Sequence, residues 1–199
     1  MDFTLIQKNI AKHIALTADE AAYFNSLLTY KELRRREHLL KEGQACRHIN
    51  FVHAGALRAY YIDKEGVDNS IMFAINDWWV TDMYAYINRK PAMMCIDAIE
   101  DSCLLQLSND DLEKLYVVVP KFEKFFRIIM QNSYIREQLR VIQNLSLSAE
   151  ERYLNFINKY PQFVARISQK QIASYLGITP EFLSAIRKKL RNGWFLKVP

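Results

Sequence analysis

From Lys121 to Leu145 the chain contains neither glycine nor proline, and a helix over that stretch, rising 1.5 Å per residue, runs about 37 Å. Whatever comes before and after must be arranged along that rod. Within it Ile128, Asn132, Ile135, Leu139 and Ile142 step by four, three, four and three residues, the seam of a two-stranded coiled coil. An asparagine at a seam position costs stability but holds two strands in register. Phe122, Phe125, Phe126, Ile129 and Met130 form a second apolar face, which is free to lie on the rest of the chain while the seam meets a twin. The alternative is that the seam also packs on its own domain.

Before the rod the pattern is that of a β domain. Thr17, followed three residues later by Glu20, has capping-box spacing ahead of a short helix bearing Ala21, Phe24, Leu27 and Leu28. Short apolar or alternating runs then follow at Ile49–His53, Ala56–Ile62, Asn69–Ala74, Met94–Ala98 and Cys103–Leu107, broken by turn signals at Gly43, Gly55 and Glu65-Gly66. No helices intervene to cross a parallel sheet, so the runs predict an antiparallel barrel or two-sheet roll. The bulky stretch from Asp77 to Tyr84, leading to Asn88, is read as a short helical insert. Asn109-Asp110-Asp111 opens a helix carrying Leu112 and Leu115.

Metal and disulfide chemistry are poorly supplied. Cys46, Cys95 and Cys103 are odd in number and scattered, and His13, His38, His48 and His53 show no short ligand spacing. No cofactor is expected, and no pattern of nucleophile and base or phosphate loop predicts catalysis. The opening Met1-Asp2-Phe3-Thr4 has no long apolar run, so a cytoplasmic protein without a membrane anchor is expected.

Charge is unevenly placed. From Arg166 onward the bases Arg166, Lys170, Arg187, Lys188, Lys189, Arg191 and Lys197 face only Glu181, which puts +6 on this segment and −1 on the remainder of a chain whose net charge is +5. A basic end on a nearly neutral body is the footprint of a phosphate-binding module. The same segment spells two helices. Ser168 and Gln171 have capping-box spacing before Ile172 and Leu176, Gly177 suits the left-handed turn, and Thr179-Pro180 restarts a helix that buries Leu183, Ile186 and Leu190. Ala173, Gly177 and Leu183 then stand where a helix-turn-helix needs a small contact residue, a turn glycine and a core anchor.

Here the sequence resembles the Crp/Fnr family of bacterial regulators, most closely its Bacteroidetes-type branch. The resemblance runs through Leu40-Lys41-Glu42-Gly43, Phe51 to Tyr61, Ser148-Ala149-Glu150-Glu151-Arg152-Tyr153 and, most specifically, Ile172 to Glu181. It implies an α+β chain: an N-terminal antiparallel β-roll, jelly-roll-like and of the cyclic-nucleotide-binding type, at 1–118; a long dimerisation helix at 119–146; and a winged helix-turn-helix at 147–199. After Trp194-Phe195-Leu196 the sequence reaches Pro199, so the wing is expected to be rudimentary. Family members that bind cyclic nucleotides use a Gly-Glu pair and a downstream arginine, where this chain reads Val80-Thr81-Asp82 and Pro91-Ala92-Met93-Met94. Without a guanidinium a buried phosphate goes largely uncompensated, and cyclic AMP is not the expected effector. An unknown small molecule is allowed for, with Trp78, Trp79, Thr81, Asp82, Tyr84 and Arg89 as its candidate contacts. An iron-sulfur cluster would need four cysteines.

In the two-helix geometry Pro180, Glu181, Ser184, Ala185 and Lys188 turn toward base edges, while Ser168, Gln169, Lys170, Thr179, Arg187, Lys189 and Arg191 lie toward phosphates. Family members often carry an arginine after the serine of the second helix. Ala185 stands there in this chain, which predicts a site with fewer critical G·C pairs. The expected partners are double-stranded DNA carrying a palindrome, a second copy of the chain, and RNA polymerase. Two other classes are weighed against this. One is an effector-binding module acting through protein contacts alone; the other is a cupin-like metalloenzyme, whose His-x-His ligands the sequence lacks.

Overall fold

A computed structural model describes residues 2–191. The elements run α1 (Thr4–Ala11), α2 (Ala18–Ser26), β1 (Thr29–Leu33), β2 (His38–Leu40), β3 (His48–Ala54), β4 (Ala56–Ile62), β5 (Asp68–Ile75), β6 (Trp79–Val80), α3 (Met83–Asn88), β7 (Cys95–Ala98), β8 (Ser102–Ser108), α4 (Asn109–Val118) and α5 (Lys121–Ser146). The C-terminal part adds α6 (Ala149–Lys159), α7 (Pro161–Val164), α8 (Gln169–Leu176) and α9 (Pro180–Arg191). The expected rudimentary wing lies outside the described residues.

Two antiparallel sheets, in the orders β1-β8-β3-β6 and β2-β7-β4-β5, make the roll. Period-two alternation decides which layer each side chain enters. On β3 and β8, Ile49, Phe51, Leu105 and Leu107 point out to a helical layer that includes Ile6 and Ile10 of α1, Phe24 of α2, Leu115 of α4 and Phe122, Phe125 and Phe126 of α5. Their neighbours Val52 and Leu104 point in and meet Leu57, Ala59, Ala74 and Ile96 of the second sheet. The outer face of that sheet, through Ala56, Phe73 and Ile75, shares a core with Tyr153, Phe156, Phe163, Ile172, Leu176 and Leu183. Each sheet is thus covered on both faces. One of those cores crosses the expected boundary at 146/147.

Gly55 joins β3 to β4 at φ 104°, and a Cβ there would lie 2.2 Å from Ser102 Oγ and 2.6 Å from Ser102 Cα. No other residue fits the corner.

Three features depart from the sequence reading. The helix α1 was not anticipated, nor were β1 and β2. The insert begins as a strand, because β6 pairs Trp79 with Phe51 and Val80 with Asn50, and its helix starts only at Met83. The cause is Asp82, whose carboxylate caps α3 by accepting from Ala85 N at 3.0 Å. The long helix matches its expected limits closely, ending at Ser146 rather than Leu145.

Candidate functional site

The C-terminal helices are set by their caps. Ser148 and Glu151 form a capping box on α6, and Ser168 and Gln171 form one on α8. Gly177 ends α8 at φ 67°, with Ile178 N bonded to Ala173 O at 3.1 Å. Thr179 Oγ1 then accepts from Phe182 N at 3.2 Å to open α9. Ile172, Ala173, Leu176, Leu183 and Ile186 are buried between the two helices and α6 and α7, with Leu190 partly covered.

Burying that face turns the opposite one outward. Pro180, Glu181, Ser184, Ala185 and Lys188 are all exposed, in company with Arg187, Lys189 and Arg191 on α9 and Lys170 on α8. Several of the other polar residues are already engaged. The hydroxyls of Ser168 and Thr179 serve as caps, and Lys189 Nζ meets both carboxylate oxygens of Glu150 at 2.8 and 3.0 Å. Gln169 is half-buried, its Oε1 without a partner among the described residues. Phe182 is an exposed aromatic on the same helix that the sequence reading did not single out.

The head is fastened to the roll by contacts that no local sequence signal announces. Ser174 Oγ accepts from Ser70 N at 2.8 Å and donates to Asp68 O at 2.9 Å, closing part of the free edge of β5. Arg140 of α5 donates to Ile71 O and lies 4.5 Å from the Tyr175 ring centroid. Trp78 stands edge-on to Tyr160 and Phe163, with centroids at 5.9 and 5.7 Å, and Arg166 pairs with Glu100.

Along α5 the seam positions Ile135, Leu139 and Ile142 are 53%, 45% and 57% exposed. Asn132 is also exposed and Ile128 is half-buried, while the aromatic half of the helix is buried in the roll's helical layer.

The six residues expected around an effector do not converge. Trp78, Trp79 and Thr81 line a cavity of about 200 Å³ between the roll and α5, with Met72, Met130 and Arg136. Asp82 is fully buried, and its second oxygen accepts from Met93 N at 2.8 Å, so its carboxylate is used up in holding the insert. Trp79 donates to Asn9 at 3.0 Å, and Tyr84 is exposed. Arg89, in the left-handed conformation at the end of α3, turns away to Asn109 and Asp110 and lines a different cavity. The chain departs from its expected site because the insert is braced by Asp82 rather than opened around it.

A two-sheet roll, a long helix with one bare apolar stripe and an exposed helix-turn-helix face together define a sensor-type domain coupled to a nucleic-acid reading head. Comparison with known proteins agrees. Residues 30–117 match the cyclic nucleotide-binding domain. Electron transport regulator A of Shewanella oneidensis is 20% identical over 92% of this chain and 77% of its own length. Regulatory protein HlyX of Actinobacillus pleuropneumoniae is 23% identical over 84% and 74%. The structure of FixK2 from Bradyrhizobium japonicum superposes with a TM-score of 0.73 at 18% identity, covering 83% of this chain and 85% of that one. The chain is thus similar, through a cyclic nucleotide-binding domain and most of its remaining length, to bacterial regulatory proteins. Among the described residues no helix is long and apolar enough to cross a membrane.

Proposed function

We propose that the protein binds a palindromic site in double-stranded DNA as a twofold homodimer, with α9 in the major groove. The observation that carries this reading is the division of α9 into a buried face, Leu183 and Ile186, and an exposed face of Pro180, Glu181, Ser184, Ala185 and Lys188. Glu181 accepts from a cytosine amino group, Ser184 donates or accepts, and Ala185 meets a thymine methyl. Lys170, Arg187 and Arg191 lie toward the phosphates together with the N-terminus of α8. Lys189 joins them by exchanging Glu150 for a phosphate. Pairing through α5 sets the two heads about 34 Å apart, one turn of DNA, and RNA polymerase is the partner through which such a regulator acts.

The roll has room for a small effector beside Trp78 and Trp79, but a cavity of about 200 Å³ falls below the usual range for organic ligands. Arg136, its guanidinium, is stacked over Trp78 at 5.3 Å. The small volume supports an effector other than cyclic AMP, or none. Selection from random duplex DNA tests the main reading. The expected result is an enriched palindrome with half-sites one helical turn apart; enrichment of nothing, or of a single unpaired half-site, refutes it.

A further inference from the structure

A second and larger cavity, of about 590 Å³, opens on the far side of the insert from the Trp78 site. Its walls come from the loop before β3, the end of α3 and the beginning of α4. Arg47, Arg89 and Lys90 stand around it, opposed among the described lining residues only by Asp110, and His48 lies in its wall. Arg89 is partly neutralised by Asp110 at 3.5 Å. Arg47 and Lys90 make no side-chain hydrogen bond or ion pair among the described residues. The mouth is therefore cationic, and its volume is in the ordinary range for small-molecule sites.

The interior supplies an independent observation. Tyr86 is 3% exposed and lines both this cavity and a neighbouring one that Tyr116 and Glu113 share, and its enclosed hydroxyl has no hydrogen-bond partner among the described residues. Buried polar groups without partners are rare and costly. Burial raises the phenol above its ordinary range, and the nearby Tyr116, Cys46, Glu113 and Asp110 push in the same direction. The hydroxyl therefore keeps its proton and is a donor awaiting an acceptor.

We propose that this cavity is a ligand site for a small organic anion, a carboxylate or phosphate ester, whose charge lies against Arg47 and Lys90 and one of whose oxygens accepts from Tyr86. It is separate from the space between the roll and α5, and it does not depend on how the reading head engages DNA.

Calorimetric titration of the full chain with benzoate, glucose 6-phosphate and inorganic phosphate tests the site, with benzamide as the neutral match to benzoate. The expected result is one site per chain for benzoate or glucose 6-phosphate, with Kd below about 1 mM, and no binding of benzamide. Tyr86→Phe and Arg47→Ala should each weaken the anion about tenfold. Without ligand, Tyr86→Phe should leave Tm unchanged or raise it, because it removes an unpartnered hydroxyl and keeps the ring. Any one of several results would overturn the proposal. They are no saturation by any of the three anions at about 10 mM, saturation indifferent to both substitutions, a lower Tm for ligand-free Tyr86→Phe, which would mean an ordered water already serves the hydroxyl, or binding lost in Arg187→Ala but kept in Arg47→Ala. Saturation by inorganic phosphate alone would show a bare anion hole rather than an organic ligand site and would also overturn it.

Discussion

Ile135→Asp is the sharpest test of how two chains meet. Fully burying an isoleucine or leucine side chain is worth about 1.5–3 kcal/mol, and Ile135, Leu139 and Ile142 are each roughly half exposed in the single chain. About 1 kcal/mol per side chain is thus still to be gained. Twofold pairing uses each position twice, which brings the three to about 6 kcal/mol before Leu145 and the flanking contacts are added. Micromolar dimerisation needs about 8 kcal/mol, so the stripe supplies most but not all of what is required. Aspartate at position 135 forfeits about 2 kcal/mol of that burial. It also places two carboxylates near the symmetry axis with no cation across the seam, adding several kcal/mol. The sum is at least about 4 kcal/mol, or about a thousandfold in Kd. Sedimentation equilibrium at micromolar concentration should show the wild type as a dimer and Ile135→Asp as a monomer with unchanged far-ultraviolet helicity, while Ile135→Leu stays dimeric. An Ile135→Asp protein that sediments like the wild type would refute the assignment of this face.

Four further outcomes are expected. Glu181→Ala should alter which base is preferred at one position of each half-site by about 1–3 kcal/mol, whereas Arg187→Ala should weaken all DNA alike and shallow the salt dependence by about one unit per subunit; quantitative selection and salt titration separate the two, and identical behaviour of both variants contradicts the assigned roles. Gly55→Ala drives a Cβ into Ser102 backbone and should cost at least about 3 kcal/mol, lowering Tm by on the order of 10 °C. Gly43→Ala has a similar φ of 82° but nothing within 4 Å, and should cost only about 1–2 kcal/mol; equal losses would show that sterics at Ser102 are not the issue. Burial, reinforced by Arg47, holds His48 below its ordinary 6.5, so the folded chain resists its protonation. Its contribution is complete above about pH 6.5 and is lost as pH falls through the folded value, so melting curves from neutral to mildly acidic pH should show a decline that His48→Gln flattens. Calorimetry should detect no tight binding of cyclic AMP; a saturable micromolar isotherm would overturn that expectation.

Legibility from sequence followed the reach of the interactions involved. The caps of α2, α8 and α9 and the turn at Gly177 lie within a few residues of the helices they end, so the head could be read directly. Strands β3, β4 and β5 alternate or run apolar because both their faces are covered. By contrast β1 buries only Leu33, β6 has two residues, and α1 is a short helix held by Ile6 and Ile10 against a sheet far along the chain. The two strands carry no periodic signal, whereas Phe3, Ile6, Ile10 and Ile14 do step at helical spacing and were the missed clue to α1. Asp82 misled because a carboxylate in the insert suggests a ligand contact. The overlooked clue was local, since an aspartate just before a helix is a favoured cap. Nothing local could have revealed Ser174, whose partners on β5 lie 104 and 106 residues away.

That serine gives the reading head a second duty. An edge strand offers unpaired N–H and C=O groups to any passing chain, and on β5 the Ser70 amide and the Asp68 carbonyl are occupied by a hydroxyl from α8. The head therefore acts as the gatekeeper of the roll against intermolecular strand pairing. Severing the chain after α5 would not release two well-behaved halves. It would bare Phe73 and Ile75 together with the strand edge beside them, which makes the isolated roll a predicted aggregator and leaves the head without much of its floor. Any motion that lifts α8 far enough to re-aim α9 exposes the same edge, so freedom of the head is bounded by the colloidal behaviour of the sheet beneath it.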